Sequence, residues 1–234
     1  MREYTVEHSS LNFKWTFQRM LPSLPGPGTP AFAELCKGLH PYGITPSKVV
    51  IETPSSRLGD VFVSIGLLDN RLGVRFTSAA LELYLDELLV DDEEKLIPIA
   101  DMLFTAVSSI DADAINGTAN LKITSHLKLL PDEHEALVRA HQALQQPEFN
   151  LDAVVYKINF GSESRARDFR LALAKSIAYE NAIFVELSAD YDGPATPTEL
   201  AAHINTDAER AFELLGLQEQ REQPSDADKR AGIK

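Results

Sequence analysis

The stretch ARDFRLALAKSIAYENAIFVELSAD (Ala166–Asp190) decides between two architectures. Phe169, Leu171 and Leu173 recur at period two and fit a strand, whereas Phe169, Leu173 and Ile177 recur as one face of a helix. A second stretch tips the balance. SIGLLDNRLGVRFTSA from Ser64 aligns with SIAYENAIFVELSAD from Ser176 after one deletion, and each ends in small polar residues ahead of a capped helix. Self-similarity on this scale is the mark of a repeated supersecondary unit. On that match, Arg167 to Ala178 is predicted to be a strand. The chain is then two copies of a hairpin-plus-helix unit, with halves at about 48–130 and 151–217.

The rest of the chain reads outward from there. LNFKWTFQ (Leu11–Gln18) alternates Leu11, Phe13, Trp15 and Phe17 with polar residues, the pattern of a strand with one buried face. LPSLPGPGTP (Leu21–Pro30) permits neither helix nor central strand, and a short helix follows from about Ala31 to Leu39. KVVIET, VFVSIGLL and RLGVRF read as strands, with Asp69-Asn70 as a hairpin corner. LELYLDEL alternates and is expected to be a further strand. Asp91 and Asp92 are expected to cap a helix reaching about Ile110, started late or kinked by Pro98. After the Asn116-Gly117 turn, a strand carries Leu121, Ile123, Ser125, Leu127 and Leu129 on one face. A helix from Asp132 to about Leu144 and a strand in LDAVVYKINF come next. Thr196, Pro197 and Glu199 supply a capping box for the last helix, which ends near Gly216.

These elements predict an α+β fold, a mainly antiparallel sheet covered by helices. Residues 1–217 are expected to form a single compact domain, followed by a polar, disordered tail over 218–234.

Composition narrows the function. The 234 residues carry a net charge of −13, which disfavours phosphate backbones and anionic lipid, so neither nucleic acid nor membrane is expected as a partner. No run reaches the length of a membrane span, and the N-terminal residues lack a secretory pattern, which points to the cytoplasm. Cys36 is the only cysteine, so an intrachain disulfide and cysteine-rich zinc sites are excluded.

HLKLLPDEHEALVRAH (His126–His141) looks at first like a stretched zinc-protease motif, because Glu135 follows His134. Such a motif needs its second histidine at i+4, where this chain has Val138. His141 stands seven residues on, roughly 10 Å along a helix axis, and no metal is expected. DADAINGTANLK (Asp111–Lys122) begins like a calcium loop but has Ile115 at the fifth position and Lys122 at the twelfth. Cys36 and His40 are four apart without a third orienting group. Arg165, Arg167 and Lys175 would point away from Arg170 if all lay on one regular strand. No phosphate loop, nucleophile elbow or dinucleotide fingerprint is present, so no cofactor and no catalytic residue is assigned.

What remains is the cluster Asp86, Glu87, Asp91, Asp92, Glu93 and Glu94. Acids at a helix start suit the helix dipole, and an exposed group of them would attract a basic protein surface. The expectation is therefore a cytoplasmic, acidic, non-catalytic interaction module of bacterial type, such as an adaptor, inhibitor or immunity protein. The alternative is a small-molecule binder or enzyme with a pocket between sheet and helices, lined by Trp15, Tyr84 and Tyr156.

Overall fold

A computed structural model describes residues 2–52, 61–89, 92–142, 153–161, 164–192 and 196–219. The strands are β1 (Arg2–Thr16), β2 (Val49–Glu52), β3 (Phe62–Leu67), β4 (Leu72–Phe76), β5 (Ala80–Leu85), β6 (Thr118–Leu129), β7 (Ala153–Ile158), β8 (Ala166–Lys175), β9 (Ala182–Asp192) and β10 (Leu217–Glu219). The helices are α1 (Pro30–Leu39), α2 (Glu93–Ile110), α3 (Pro131–Gln142) and α4 (Pro197–Leu214). The fold is α+β, one ten-stranded sheet with helices packed on it.

The strand order is β2-β3-β4-β5-β1-β6-β9-β8-β7, antiparallel throughout, and β10 adds to the start of β1 in parallel. β1 and β6 form the long central pair. From β1 the chain runs through α1, four successive antiparallel strands (β2 to β5) and α2; from β6 it runs through α3, three such strands (β7 to β9) and α4. The sequence match between Ser64 and Ser176 therefore joins hairpins in different places. The first hairpin is β3–β4 and the second is β8–β9; β9 lies against central β6 as β5 lies against central β1. Topologically, β8–β9 corresponds to β4–β5, one strand further along.

The period-two pattern puts one side of every central strand against the helices. Leu11, Phe13 and Trp15 of β1 share that side with Leu81, Leu83 and Leu85 of β5 and with Leu121, Leu127 and Leu129 of β6. Helices α2 and α4 bring Ile99, Leu103, Val107, Leu200 and Ala211 to the same core, and α1 and α3 add Leu35, Leu39 and Leu137. Trp15 is 1% exposed and meets the ring of Phe104 edge-on at 4.7 Å. Segment 166–175 is strand β8, so the period of two prevails over the period of 3.6 there.

Local signals hold at several joints. The capping box of α4 is complete, with Thr196 accepting from the Glu199 N–H and Glu199 accepting from the Thr196 N–H. The β3–β4 corner runs left-handed through Leu68, Asp69 and Asn70 (φ 50°, 57° and 69°), conformations that Asn and Asp tolerate better than most residues. Gly117 is required by close approach, since a Cβ there would lie 1.8 Å from the Thr16 carbonyl oxygen. Gln218 and Glu219, expected to begin the tail, instead pair with β1 as part of β10. Residues from 220 onward lie outside the described residues.

Candidate functional site on the open face of the sheet

No described helix covers the second side of the sheet. Its side chains are the polar positions of the same alternation, and cross-strand register arranges them in rows perpendicular to the strands. One row runs Ser64, Arg75, Glu82, Lys14, Asn120, Asp190 and Asp168. The next runs Gly66, Gly73, Tyr84, Asn12, Lys122, Ser188, Arg170 and Lys157. A third holds Ser10, Thr124, Glu186, Ala172 and Val155, and a fourth His8, His126, Phe184, Ala174 and Ala153.

The second row contains no carboxylate. It offers a phenol, an amide, a hydroxyl and three cations across six strands, and beyond Tyr84 it ends in two glycines, the outer of which, Gly66, lies under the Asn70 side chain. Carboxylates of the neighbouring rows hold its cations in place. Lys122 sits 2.7 Å from Glu186, Arg170 sits 2.6 Å from Asp168, and Lys157 sits 3.3 Å from Asp168. The Arg170 guanidinium, donating to Asp168, keeps that carboxyl below the usual carboxylate range in spite of partial burial. Tyr84 donates to Glu82 at 2.7 Å, and Lys14 pairs with Glu82 at 3.0 Å. Burial pushes the Glu82 carboxyl up, but bonds from Tyr84 and Lys14 and the charge of Arg75 outweigh it and leave it lowered. Burial and the Glu82 bond raise the Tyr84 phenol, so it is a neutral donor at neutral pH.

Two shallow depressions lie along this row. One, about 250 Å³, is lined by Ser10, Asn12, Tyr84, Asp86, Lys122 and Thr124. The other, about 150 Å³, is lined by Asn120, Asp168, Arg170, Ser188 and Asp190.

Two bulges re-aim side chains on this face. A bulge between Val6 and His8 brings His8 opposite His126. Another between Ala166 and Asp168 turns Arg167 to Asp192 (3.2 Å) and Asp190 (3.8 Å). A regular strand would have sent Arg167 to the side opposite Arg170, as expected from the sequence. The extra residue of the bulge overrides that alternation. Lys175 keeps the alternation, opposite Ile183 on the helix side.

The acidic cluster is not one surface. Asp86, Glu87 and Glu94 are exposed, but Asp92 is fully buried. Its carboxylate accepts from Arg71 at 2.6 and 2.9 Å and from the Leu89 N–H at 2.9 Å. It makes no side-chain cap for α2. Asp91 and the side chain of Glu93 lie outside the described residues. The expected exposure of Asp92 fails because a guanidinium from the neighbouring hairpin reaches it, from 21 residues away in sequence.

The other sequence candidates also separate. His126 lies on the open face, whereas His134 is buried on α3, whose Leu137 packs in the core; the side chain of His141 is outside the described residues. Among the described residues no three His, Cys, Asp or Glu side chains converge to hold an ion. Asp111 and Asp113 both engage Arg19. Burial raises the Cys36 thiol, which keeps it protonated. Trp15 faces the helices and Tyr84 the open side, so Trp15, Tyr84 and Tyr156 line no common pocket. The carboxylate-free row was missed because its six donors come from six strands. Its only sequence signal is that each occupies a polar position of an alternating run.

No family model matches the chain, and no curated protein matches it. A solved structure, the rolling circle replication initiator protein from Geobacillus stearothermophilus, is similar over 97% of this chain and 91% of that chain. The identity is 12% and the TM-score 0.40, at which no activity or residue role transfers. Two expectations from the sequence, a non-catalytic interaction module with a basic protein partner and the exclusion of nucleic acid, are corrected on this chain's own geometry, since the acidic cluster with Asp92 buried is not one docking surface. Neither is retained. The exclusion had a physical flaw as well, because a net charge of −13 is an average over the chain. Exposed acids such as Glu94, Glu135, Glu209 and Glu213 lie on the helices, while the open face interleaves cations with carboxylates. No helix among the described residues is long and apolar enough to cross a membrane.

Proposed function

We propose that the open face of the sheet binds an extended anionic polymer, a single strand of nucleic acid, laid across the strands along the carboxylate-free row. The observation that carries this reading is the row itself. At roughly 4.8 Å per strand, the eight positions from Gly66 to Lys157 span about 34 Å. Lys122, Arg170 and Lys157 are 46%, 58% and 71% exposed. Exposed ion pairs of this kind are worth only about 0–1 kcal/mol, so exchanging a carboxylate for a phosphate oxygen costs little. One line of cations that shares its row with the ring of Tyr84 matches the combination by which single strands are held. The acidic helical layer repels phosphate and leaves the open face as the side of approach. We place the protein in the cytoplasm, where the one thiol, Cys36, stays reduced.

The test is fluorescence anisotropy with labelled single-stranded DNA and RNA homopolymers and a duplex of equal length, titrated at several salt concentrations. Single strands are expected to bind more tightly than the duplex. The combined variant Lys122→Gln, Arg170→Gln, Lys157→Gln is expected to flatten the slope of log affinity against log salt by about 2, at roughly 0.7 for each phosphate no longer neutralised. No binding at low salt, or binding whose salt slope this variant leaves unchanged, overturns the proposal.

A further inference from the structure

The fourth row of the open face ends in a hydrogen-bonded device that the binding reading does not use. His126 and His8 face each other across β1 and β6, with ring centroids 6.3 Å apart. The His126 ring also contacts Tyr179 at 5.0 Å and Phe184 at 5.3 Å. Its Nδ1 lies 2.9 Å from the hydroxyl oxygen of Ser176, which is buried at the first residue of the β8–β9 turn. That same oxygen accepts from the backbone N–H groups of Ala178 (3.2 Å) and Tyr179 (3.0 Å).

A hydroxyl has two lone pairs and one hydrogen. With both lone pairs engaged by the turn, the hydrogen is what remains to bridge to His126, so Nδ1 must be an acceptor. The ring is then neutral, with its proton on Nε2. A protonated ring would aim an N–H at an oxygen with no lone pair to spare, in a position where buried Ser176 cannot turn to water.

We propose that His126 is a proton-operated latch on the β8–β9 turn. Its neutral ring holds Ser176 and, through Ser176, the turn that carries Ile177 and Tyr179; protonation releases that turn.

Among the described residues no carboxylate pairs with the His126 ring, whose hydrogen bond goes to Ser176. On β1, Glu7 is committed to Lys128 of β6 at 3.4 Å, and His8 faces the ring. On β9, Glu186 is committed to Lys122 at 2.7 Å. Lys175 and Glu180, at the two ends of the turn, are exposed to water. Partial burial of the ring, and secondarily the charge of His8, push His126 below its ordinary 6.5. A ring that resists protonation when latched takes its proton more readily once the turn opens. The latch is therefore closed above pH 6.5 and opens as the pH falls below it, through the lowered value. Opening uncovers Tyr179 and leaves Ile177, already wholly exposed, on a loosened loop.

The experiment is done on the full chain without ligand, so its outcome is independent of nucleic-acid binding. Ring-nitrogen NMR at alkaline pH is expected to show the Nε2–H tautomer of His126. Hydrogen-exchange protection factors of the Ala178 and Tyr179 amides are expected to fall at least tenfold between about pH 8 and 5, the range in which histidine titrates. In His126→Phe and in Ser176→Ala, protection is expected to be low already at alkaline pH and to be independent of pH. An Nδ1–H tautomer, pH-independent protection in the parent chain, or a pH dependence that survives in His126→Phe overturns the latch. Should either variant fail to fold, the tautomer and the protection profile of the parent chain decide the matter.

Discussion

Replacing Asp92 by alanine tests whether the acidic stretch before α2 is a structural anchor or a charged surface. The carboxylate is fully buried, and it satisfies both terminal nitrogens of Arg71 and the Leu89 N–H. Arg71 also donates to the Glu87 carbonyl at 2.9 Å, so one guanidinium ties the β3–β4 corner to the chain leading into α2. Removing one partner of a buried pair costs about 3–5 kcal/mol. The Arg71 side chain is 27% exposed and regains some water, which favours the lower end, about 3 kcal/mol. Asp92→Ala should therefore unfold in urea at a clearly lower midpoint, whereas neutralising exposed Glu94 or Asp86 should change stability by no more than about 0.5 kcal/mol. In a double-mutant cycle, Arg71→Ala with Asp92→Ala should cost less than the sum of the two single changes by more than about 1 kcal/mol. The hydrogen bond from Arg71 holds the Asp92 carboxyl below its ordinary 3.8, against an opposing effect of burial. The stabilisation is then complete above pH 3.8 and is lost as the pH falls through the lowered value, so it should not vary across neutral pH. A loss below about 1 kcal/mol for Asp92→Ala, or full additivity in the cycle, would refute the anchor.

Two further substitutions probe the sheet. Trp15→Ala should cost about 3–5 kcal/mol by equilibrium denaturation, because the indole is buried between the central strands and Phe104. A near-neutral effect would mean that β1 is peripheral. Gly117→Ala forces its Cβ against backbone at the end of β1, 1.8 Å from the Thr16 oxygen and 2.9 Å from the Thr16 carbonyl carbon, and should cost about 3 kcal/mol or more. A melting temperature equal to that of the parent chain would show that the approach of the two strands is looser.

Much of the fold was legible in the sequence because the signals are local. Alternation in LNFKWTFQ and DFRLALA follows from the period of two in a strand, and it decides which side chains face the helices wherever the strand is regular. The α4 start was equally legible, since Thr196, Pro197 and Glu199 interact within one turn. Tertiary structure alone decided the order of the strands, which placed β8–β9 against the central pair and shifted the apparent repeat by one strand. It also decided the bulges at Glu7 and Arg167, which break alternation without a residue type that announces them. Asp92 looked like an exposed acid because its partner, Arg71, comes from another hairpin. The row from Tyr84 to Lys157 exists only through register. Its members are dispersed along the chain from Asn12 to Ser188 and share a line because each strand fixes the position of the next. A sequence specifies which face of a strand is polar, but pairing between distant strands decides which polar groups become neighbours.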